Sequence, residues 1–398
     1  MPWEESSVMD ERVSFIMVWR EDEESVTELC RQHGISRKTG YKWIGRYQLL
    51  GWEGLKDASR APHGHPNAVS EATVRQVLTV REQHPTWGPK KIRAWLERKH
   101  PGASWPAEST IGELLDRAGL VKHRRRRQRV AASASTLPPI GGINDVWGVD
   151  FKGWFRTGDG QRCDPLSLSD LASRYVLRLQ AVAGIGGEQI WPWLDAAFRE
   201  FGLPSRMRSD NGPPFGSTAP GGLSSLAVKL IKAGVKPEYI ARGKPQQNGR
   251  HERLHRTLKA ETASPPAATI RQQQRRFDAF CRLFNDERPH EALGQTPPAS
   301  HYTASTRRYS GRLREPEYPS AWLVRRVRRK GDIKWRGEYL YLSEALAGEP
   351  IALEPIDDEG WLIHYGPIAL GTLDQRSKFA RLRAGTRPRP EPQPQPPG

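Results

Sequence analysis

Three acidic side chains sit where chemistry is possible. Asp150 lies in the apolar run Val146-Trp-Gly-Val-Asp150-Phe-Lys-Gly153. A carboxylate at a half-buried strand position is costly unless it is paired or holds a metal ion. Asp210 ends the run Pro204-Ser-Arg-Met-Arg-Ser209 and is followed by Asn211-Gly212. Glu252 lies in Pro245-Gln-Gln-Asn-Gly-Arg-His-Glu-Arg-Leu-His-Arg-Thr-Leu-Lys259, which has helical character. Singly, each has a plain explanation. Asp150 can face solvent from a strand, and Asp210 can make the side-chain bond of an Asx turn. Glu252 can pair with Arg256 one helical turn on, for a few tenths of a kcal/mol.

The elements that must position these acids form a mixed block, residues 143–302. Val146–Trp154, Pro165–Asp170, Tyr175–Val182 and Arg206–Ser209 read as strands. Glu188–Phe201, Leu223–Ala233, Gln247–Thr262 and Arg271–Asn285 read as helices. Strands followed by alternating helices predict an α/β layered domain.

Two helical modules precede it. In residues 8–50, Val26, Leu29 and Cys30 have helical spacing, as do Tyr41 and Ile44. Gly34 can take a left-handed turn, Ile35 can plug the core, and Ser36 can cap the next helix. That is a helix-turn-helix layout. It places Arg37, Lys38, Thr39, Lys42 and Arg46 on the second helix, where major-groove contacts arise, with Ser36 at its start. A solvated helical hairpin is the alternative. Residues 66–122 form a second helical DNA-binding candidate, with Lys90 and Lys91 opening one helix. Ile92, Trp95 and Leu96 make one apolar stripe, and Ile111, Leu114 and Leu115 another. Residues 123–142 read as a basic, flexible linker. Its arginines Arg124, Arg125, Arg126 and Arg127 suit phosphate tracking, although charge runs of this kind are often simply solvated.

After the mixed block, residues 320–375 hold short β candidates, with turns at Arg336-Gly337 and Asp358-Glu-Gly360. They predict a small β-barrel. The Pro-rich tail, 376–398, predicts disorder.

Composition narrows the partner. The 398 residues carry 62 Lys and Arg against 45 Asp and Glu, a net charge of +17. Such an excess favours a polyanion, whose condensed counterions are released on binding. The three cysteines, Cys30, Cys163 and Cys281, are scattered, which argues against a disulfide framework or a four-ligand zinc site. No signal-peptide pattern and no long apolar stretch occur, so no membrane partner is expected and the location reads as cytoplasmic, with the nucleoid.

Three words then act together: Ser209-Asp-Asn-Gly-Pro-Pro-Phe215, the segment Pro245–Arg253, and Phe284-Asn-Asp-Glu-Arg-Pro-His-Glu-Ala-Leu-Gly294. In this order they resemble insertion-sequence transposases of the DDE superfamily, whose catalytic core is similar to that of retroviral integrases. The resemblance runs from the first helix-turn-helix to about Tyr302. It implies all-α helix-turn-helix modules and an α/β ribonuclease-H-like core, and with the small C-terminal β-barrel read above the chain is multidomain. It implies Asp150, Asp210 and Glu252 as catalytic acids and metal ligands. Lys259 falls where this family often has a basic residue on the same helix. Residues 211–251 make the interval between the second and third acids longer than in many members. The excess fits the Gly/Pro/Ser-rich loop Pro213–Ser225, where lengthening costs little.

The implied chemistry is phosphoryl transfer. Two divalent ions about 4 Å apart, Mg²⁺ or Mn²⁺, would clamp the attacking and leaving oxygens. Water would free a 3′-hydroxyl at an element end, and that hydroxyl would attack target DNA. Arg250 and Lys259 would hold phosphate beside the acids. The partners implied are double-stranded DNA, as element ends and target, and further copies of the chain in a homo-oligomer on that DNA. Two readings compete. A non-catalytic helix-turn-helix regulator leaves the acidic words unexplained. A related nuclease would cut without joining.

Overall fold

The computed structural model describes residues 7–57, 68–122, 137–241, 245–357, 360–374 and 382–383. The chain divides into two compact units, Met1–Ser70 and Glu71–Gly398.

The first unit holds α1 (Val8–Glu21), α2 (Val26–Gln32) and α3 (Arg37–Leu50). Each starts at a serine, Ser7, Ser25 and Ser36, whose hydroxyl accepts a backbone N–H three residues on. These caps satisfy donors that a helix start leaves free. Gly34, at φ +61°, makes the turn between α2 and α3, and Ile35 N–H closes it on the Cys30 carbonyl at 2.9 Å. Phe15, Ile16, Leu29, Cys30, Trp43, Ile44 and Leu55 form the core, with Ile35 packed against it. Tyr41, expected beside Ile44, is exposed instead, and Trp43 takes the buried position. Both aromatics fit a helical stripe, and three-dimensional packing chooses between them.

The second unit begins with α4 (Glu71–Gln83), α5 (Pro89–Lys99) and α6 (Glu108–Arg117). Val77, Val80, Ile92, Leu96, Ile111 and Leu115 close around Trp87, which is fully buried and stacks on His84.

The mixed block builds a six-stranded sheet from β1 (Val146–Phe151), β2 (Phe155–Arg156), β3 (Arg162–Asp170), β4 (Val176–Val182), β5 (Arg206–Ser209) and β6 (Lys236–Tyr239). β3 pairs antiparallel with β1, β2 and β4. β1, β5 and β6 are parallel neighbours. Helices cover both faces: α7 (Gly187–Phe201) and α8 (Ser225–Lys232) on one, α9 (Gly249–Thr262) and α10 (Ile270–Arg282) on the other. The first face buries Trp147, Val149, Leu194 and Phe198. The second buries Val176, Leu179, Leu254, Leu258 and Phe277. Residues on alternate sides of a strand thus serve two separate cores.

The C-terminal block is not the expected barrel. β7 (Leu323–Arg326), β8 (Asp332–Trp335), β9 (Glu338–Tyr341), β10 (Pro350–Asp357), β11 (Gly360–Tyr365), β12 (Ile368–Asp374) and β13 (Leu382–Arg383) form an open sheet in the order β13-β12-β11-β10-β7, plus a separate β8–β9 hairpin. No closed barrel occurs among the described residues. The reason is where the apolar face goes. Ile351, Leu353, Ile363 and Leu370 pack with Leu223, Val228 and Ile231 at and on α8, so the sheet buries itself against the mixed domain instead of closing. Arg336-Gly337 does make the expected hairpin turn, both residues at positive φ. No helix among the described residues is long and apolar enough to cross a membrane. Of the expected disordered tail only Leu382–Arg383 are described, and they pair with β12 as β13; the rest of it and most of the 123–142 linker lie outside the described residues.

Candidate active site

In the parallel pairing of β1 with β5, Val146 faces Arg206 and Gly148 faces Arg208, an offset of 60 residues that carries Asp150 to Asp210. Both acids therefore sit at the carboxyl ends of adjacent parallel strands, the edge where open α/β sheets hold ligands. Alternation along β1 sends Trp147 and Val149 into the α7–α8 core. Gly148 and Asp150 point the other way, toward α9.

Asp150 is held from three sides. Its Oδ1 accepts the Phe151 N–H at 2.8 Å, and its Oδ2 accepts Asn248 Nδ2–H at 2.9 Å. His255 Nδ1 stands 3.9 Å from the same oxygen. The other ring nitrogen of His255 meets Ser167 Oγ at 2.7 Å, and Ser167 Oγ donates to the Asp150 carbonyl at 3.2 Å. Burial, then the nearby Asp210 charge, push the Asp150 carboxyl up to about 7. Burial likewise holds His251 down at about 4 and depresses His255, so neither ring is a counter-cation at neutral pH. Asp210 Oδ1 accepts the Gly212 N–H at 3.2 Å. This is the Asx-turn bond expected of the sequence Asp-Asn-Gly.

The Lys152 charge favours the ionised Asp150 carboxyl, but burial and Asp210 outweigh it. Two carboxylates, one desolvated and each repelled by the other, suit a hard divalent ion with oxygen ligands. Glu252 is not gathered with them. Among the described residues, no three His, Cys, Asp or Glu side chains converge to hold an ion. α9 turns His251 and His255 inward and leaves Glu252 exposed. There it shares an open cleft of about 500 Å³ with Lys152, His255, Arg256 and Lys259. Glu252 and Lys259 lie two turns apart on one flank of the helix.

The expected DNA-contacting residues divide. Arg37, Lys38 and Lys42 are exposed on α3. Ser36 and Thr39 bond each other in the helix cap. Arg46 donates to the Lys56 carbonyl at 2.6 Å. Arg250 donates to the Leu171 carbonyl. Lys90 is exposed, its Nζ 3.5 Å from Glu291 Oε1, and the half-buried Lys91 donates to the Pro289 carbonyl. Burial, then Arg288, bring Lys91 down to about 8. Trp95 Nε1–H donates to Glu287 at 3.2 Å, and Arg98 to the Glu287 carbonyl. The word Phe284–Gly294 is thus the surface on which α5 docks, a role invisible in its letters. Arg124–Arg127 lie outside the described residues.

That dock reaches α9. Glu261 Oε1 accepts from Arg288 Nη1 at 2.7 Å and from Thr86 Oγ at 2.6 Å. From spacing alone Glu261 is a neutral position, opposite Glu252 on the helix. In the fold its carboxylate balances the buried Arg288. Glu261→Gln is therefore expected to lower stability by about 1–2 kcal/mol, the range for a charge-assisted bond that is partly solvated. Urea denaturation measures it, and an unchanged midpoint would count against the dock.

Asn248, His251 and His255 are site residues that sequence reasoning misses. Their i, i+3, i+7 spacing puts them on one helical face, but only the packing of α9 on β1 gives that face a task.

Family models match the core and the N-terminal helices. Residues 233–298 match the integrase core domain, a segment that includes Glu252 but neither aspartate. Residues 39–115 match a homeodomain-like domain and residues 11–63 a helix-turn-helix domain. The chain is 29% identical over 236 residues to the insertion element IS407 uncharacterized 31.7 kDa protein of Burkholderia multivorans, covering 59% of this chain and 82% of that one. It is 26% identical to the insertion element IS476 uncharacterized 39.2 kDa protein of Xanthomonas euvesicatoria, covering 59% and 65%. Among solved structures it is similar to the catalytic core domain of BIV integrase, at 19% identity and TM-score 0.32, over 40% of this chain and 93% of that one.

Proposed function

We propose that this relative of insertion-element proteins, with helix-turn-helix modules ahead of an integrase core domain, is a DNA transposase that cleaves element ends and joins them to target DNA. The observation that carries the reading is the β1–β5 register, which brings Asp150 and Asp210 to one open sheet edge, where burial and the Asp210 charge raise the Asp150 carboxyl.

Asp150 and Asp210 would hold a divalent ion, Mg²⁺ or Mn²⁺, with Glu252 as the third ligand once α9 presents it and a second ion joining on DNA. Such ions, when bound, stabilise the charge that develops on the attacking and leaving oxygens. The chain's own residues do the positioning. Asn248 orients one oxygen of Asp150, and the His255–Ser167 pair backs the strand from below. Lys152, Arg256 and Lys259 line the cleft beside Glu252 and would draw a phosphodiester into it. Water would be the first nucleophile and the freed 3′-hydroxyl the second. α3 would enter the major groove of the element ends, with Arg37, Lys38 and Lys42 outward. The active species would be a homo-oligomer on DNA.

The test incubates the full chain with DNA carrying the flanking element ends and a plasmid target, with Mg²⁺, and sequences the joints. Cleaved ends with no joints would favour the related nuclease, and intact ends the non-catalytic regulator. End recognition gives a separate expectation. Arg37→Ala or Lys38→Ala should narrow the affinity gap between end and scrambled duplexes by about 1–3 kcal/mol if the side chain reaches a base edge. Equal weakening on both duplexes would assign that residue to the backbone.

A further inference from the structure

On the far side of α9 from Asp150 lies a second cavity, of about 560 Å³. Its walls come from the β3–β4 turn, α9, α5 and the Phe284–Gly294 segment, and they bring together Lys91, Arg174, Arg250, Arg253, Arg256 and Arg288. Its two carboxylates are already committed. Asp170 accepts N–H groups from Asn144 and Ser173, and Glu291 pairs with Lys90. Arg288 is answered by Glu261. Arg174, Arg253 and Arg256 form no ion pair among the described residues.

This crowding is built into the fold. Arg174 sits at φ +67°, in a turn closed by its own N–H on the Asp170 carbonyl. A non-glycine residue held in that region marks a constraint that the surroundings impose. Burial, then Arg250 and Arg253, push the Arg174 guanidinium down to about 10. Guanidiniums kept close against their mutual repulsion, with Asp170 beside Arg174 and Arg250 already accepting N–H groups, are answered by an anion with several oxygens, which accepts bidentate bonds. Arg256 lines both this cavity and the cleft beside Glu252. A chain of phosphates crossing the α9 ridge would therefore touch both.

We propose that this cavity seats the sugar-phosphate backbone of the same DNA duplex whose end enters the acidic site, a contact independent of base sequence. The proposal rests on the reading that the chain acts on DNA.

The test measures affinity of the full chain for a random-sequence duplex over a salt series. Removing one cation that neutralises a phosphate should make the slope of log K against log salt shallower by about 0.9. The Arg174→Gln/Arg253→Gln pair should therefore flatten it by about 1.8 on every sequence alike. The Arg174→Lys/Arg253→Lys pair keeps the charges and should keep the slope. An unchanged slope in the Gln pair overturns the proposal. If the Gln pair does not fold, Arg256→Gln, at an exposed position, should flatten the slope by about 0.9, and no change there overturns it equally. Failure of the function itself would look different. Wild-type protein that forms no joints while its variants still flatten the slope removes the transposase reading and keeps the cleft. Joints formed with an unchanged slope do the reverse.

Discussion

Asp150→Asn, Asp210→Asn and Glu252→Gln are each expected to lower cleavage and strand transfer by about a thousandfold or more, with binding to end DNA largely intact. Each change keeps nearly the same shape and removes one negative charge from an oxygen-donor set that must hold divalent ions. Charge stabilisation of this kind contributes several kcal/mol to the barrier, and a thousandfold is about 4 kcal/mol. The structure separates the three. Asp150 and Asp210 already share a field, so their variants should also lose divalent-ion binding in the absence of DNA. Glu252 stands outside the pair, so Glu252→Gln should leave that binding nearly unchanged and fail only at turnover. Glu188→Gln, at an exposed position on α7, is a suitable silent control. Metal titration with parallel strand-transfer assays decides it. Full activity in Glu252→Gln would reduce the site to two acids.

Gly148→Ala is expected to be strongly damaging. A Cβ there would meet His251 Cε1 at 2.5 Å, His251 Nδ1 at 2.7 Å and Leu171 Cδ2 at 2.8 Å. His251 is 1% exposed and has nowhere to go. Overpacking of this kind costs about 1–3 kcal/mol, and a clash with a buried ring belongs at the upper end. Relief would push α9 off the sheet and take Asn248 away from Asp150. The variant should thus lose both stability and cleavage, while the helix-turn-helix unit still binds DNA. Urea denaturation and a cleavage assay measure the two losses. An unchanged midpoint would show that α9 can move without cost.

Local chemistry in the sequence determined a good deal. Gly34 with Ser36 specified a turn and a cap, because only backbone freedom at one residue and a short hydroxyl at the other satisfy that geometry. Arg336-Gly337 specified a hairpin for the same reason. Runs such as Val146–Trp154, of which Val146–Phe151 forms β1, and Arg206–Ser209 showed strands by composition, and two of the three words hold Asp210 and Glu252. These signals act over a few residues, so they survive without knowledge of the rest.

What spans the chain was decided by packing. A period-2 pattern shows that β1 has two faces, but not that Gly148 and Asp150 face α9, nor that Asn248 and His255 reach the same carboxylate. Helical spacing put Glu252 and Lys259 on one flank, yet the orientation of α9 on the sheet turned that flank outward. Lys90 and Lys91 read as DNA contacts, and their bonds to Glu291 and the Pro289 carbonyl appear only in the fold. The apolar strands after Leu323 fit a barrel until α8 offered them another surface. In each case the letters set which groups were available, and burial chose among partners equally suited by type, because desolvation and close packing depend on neighbours far away in sequence.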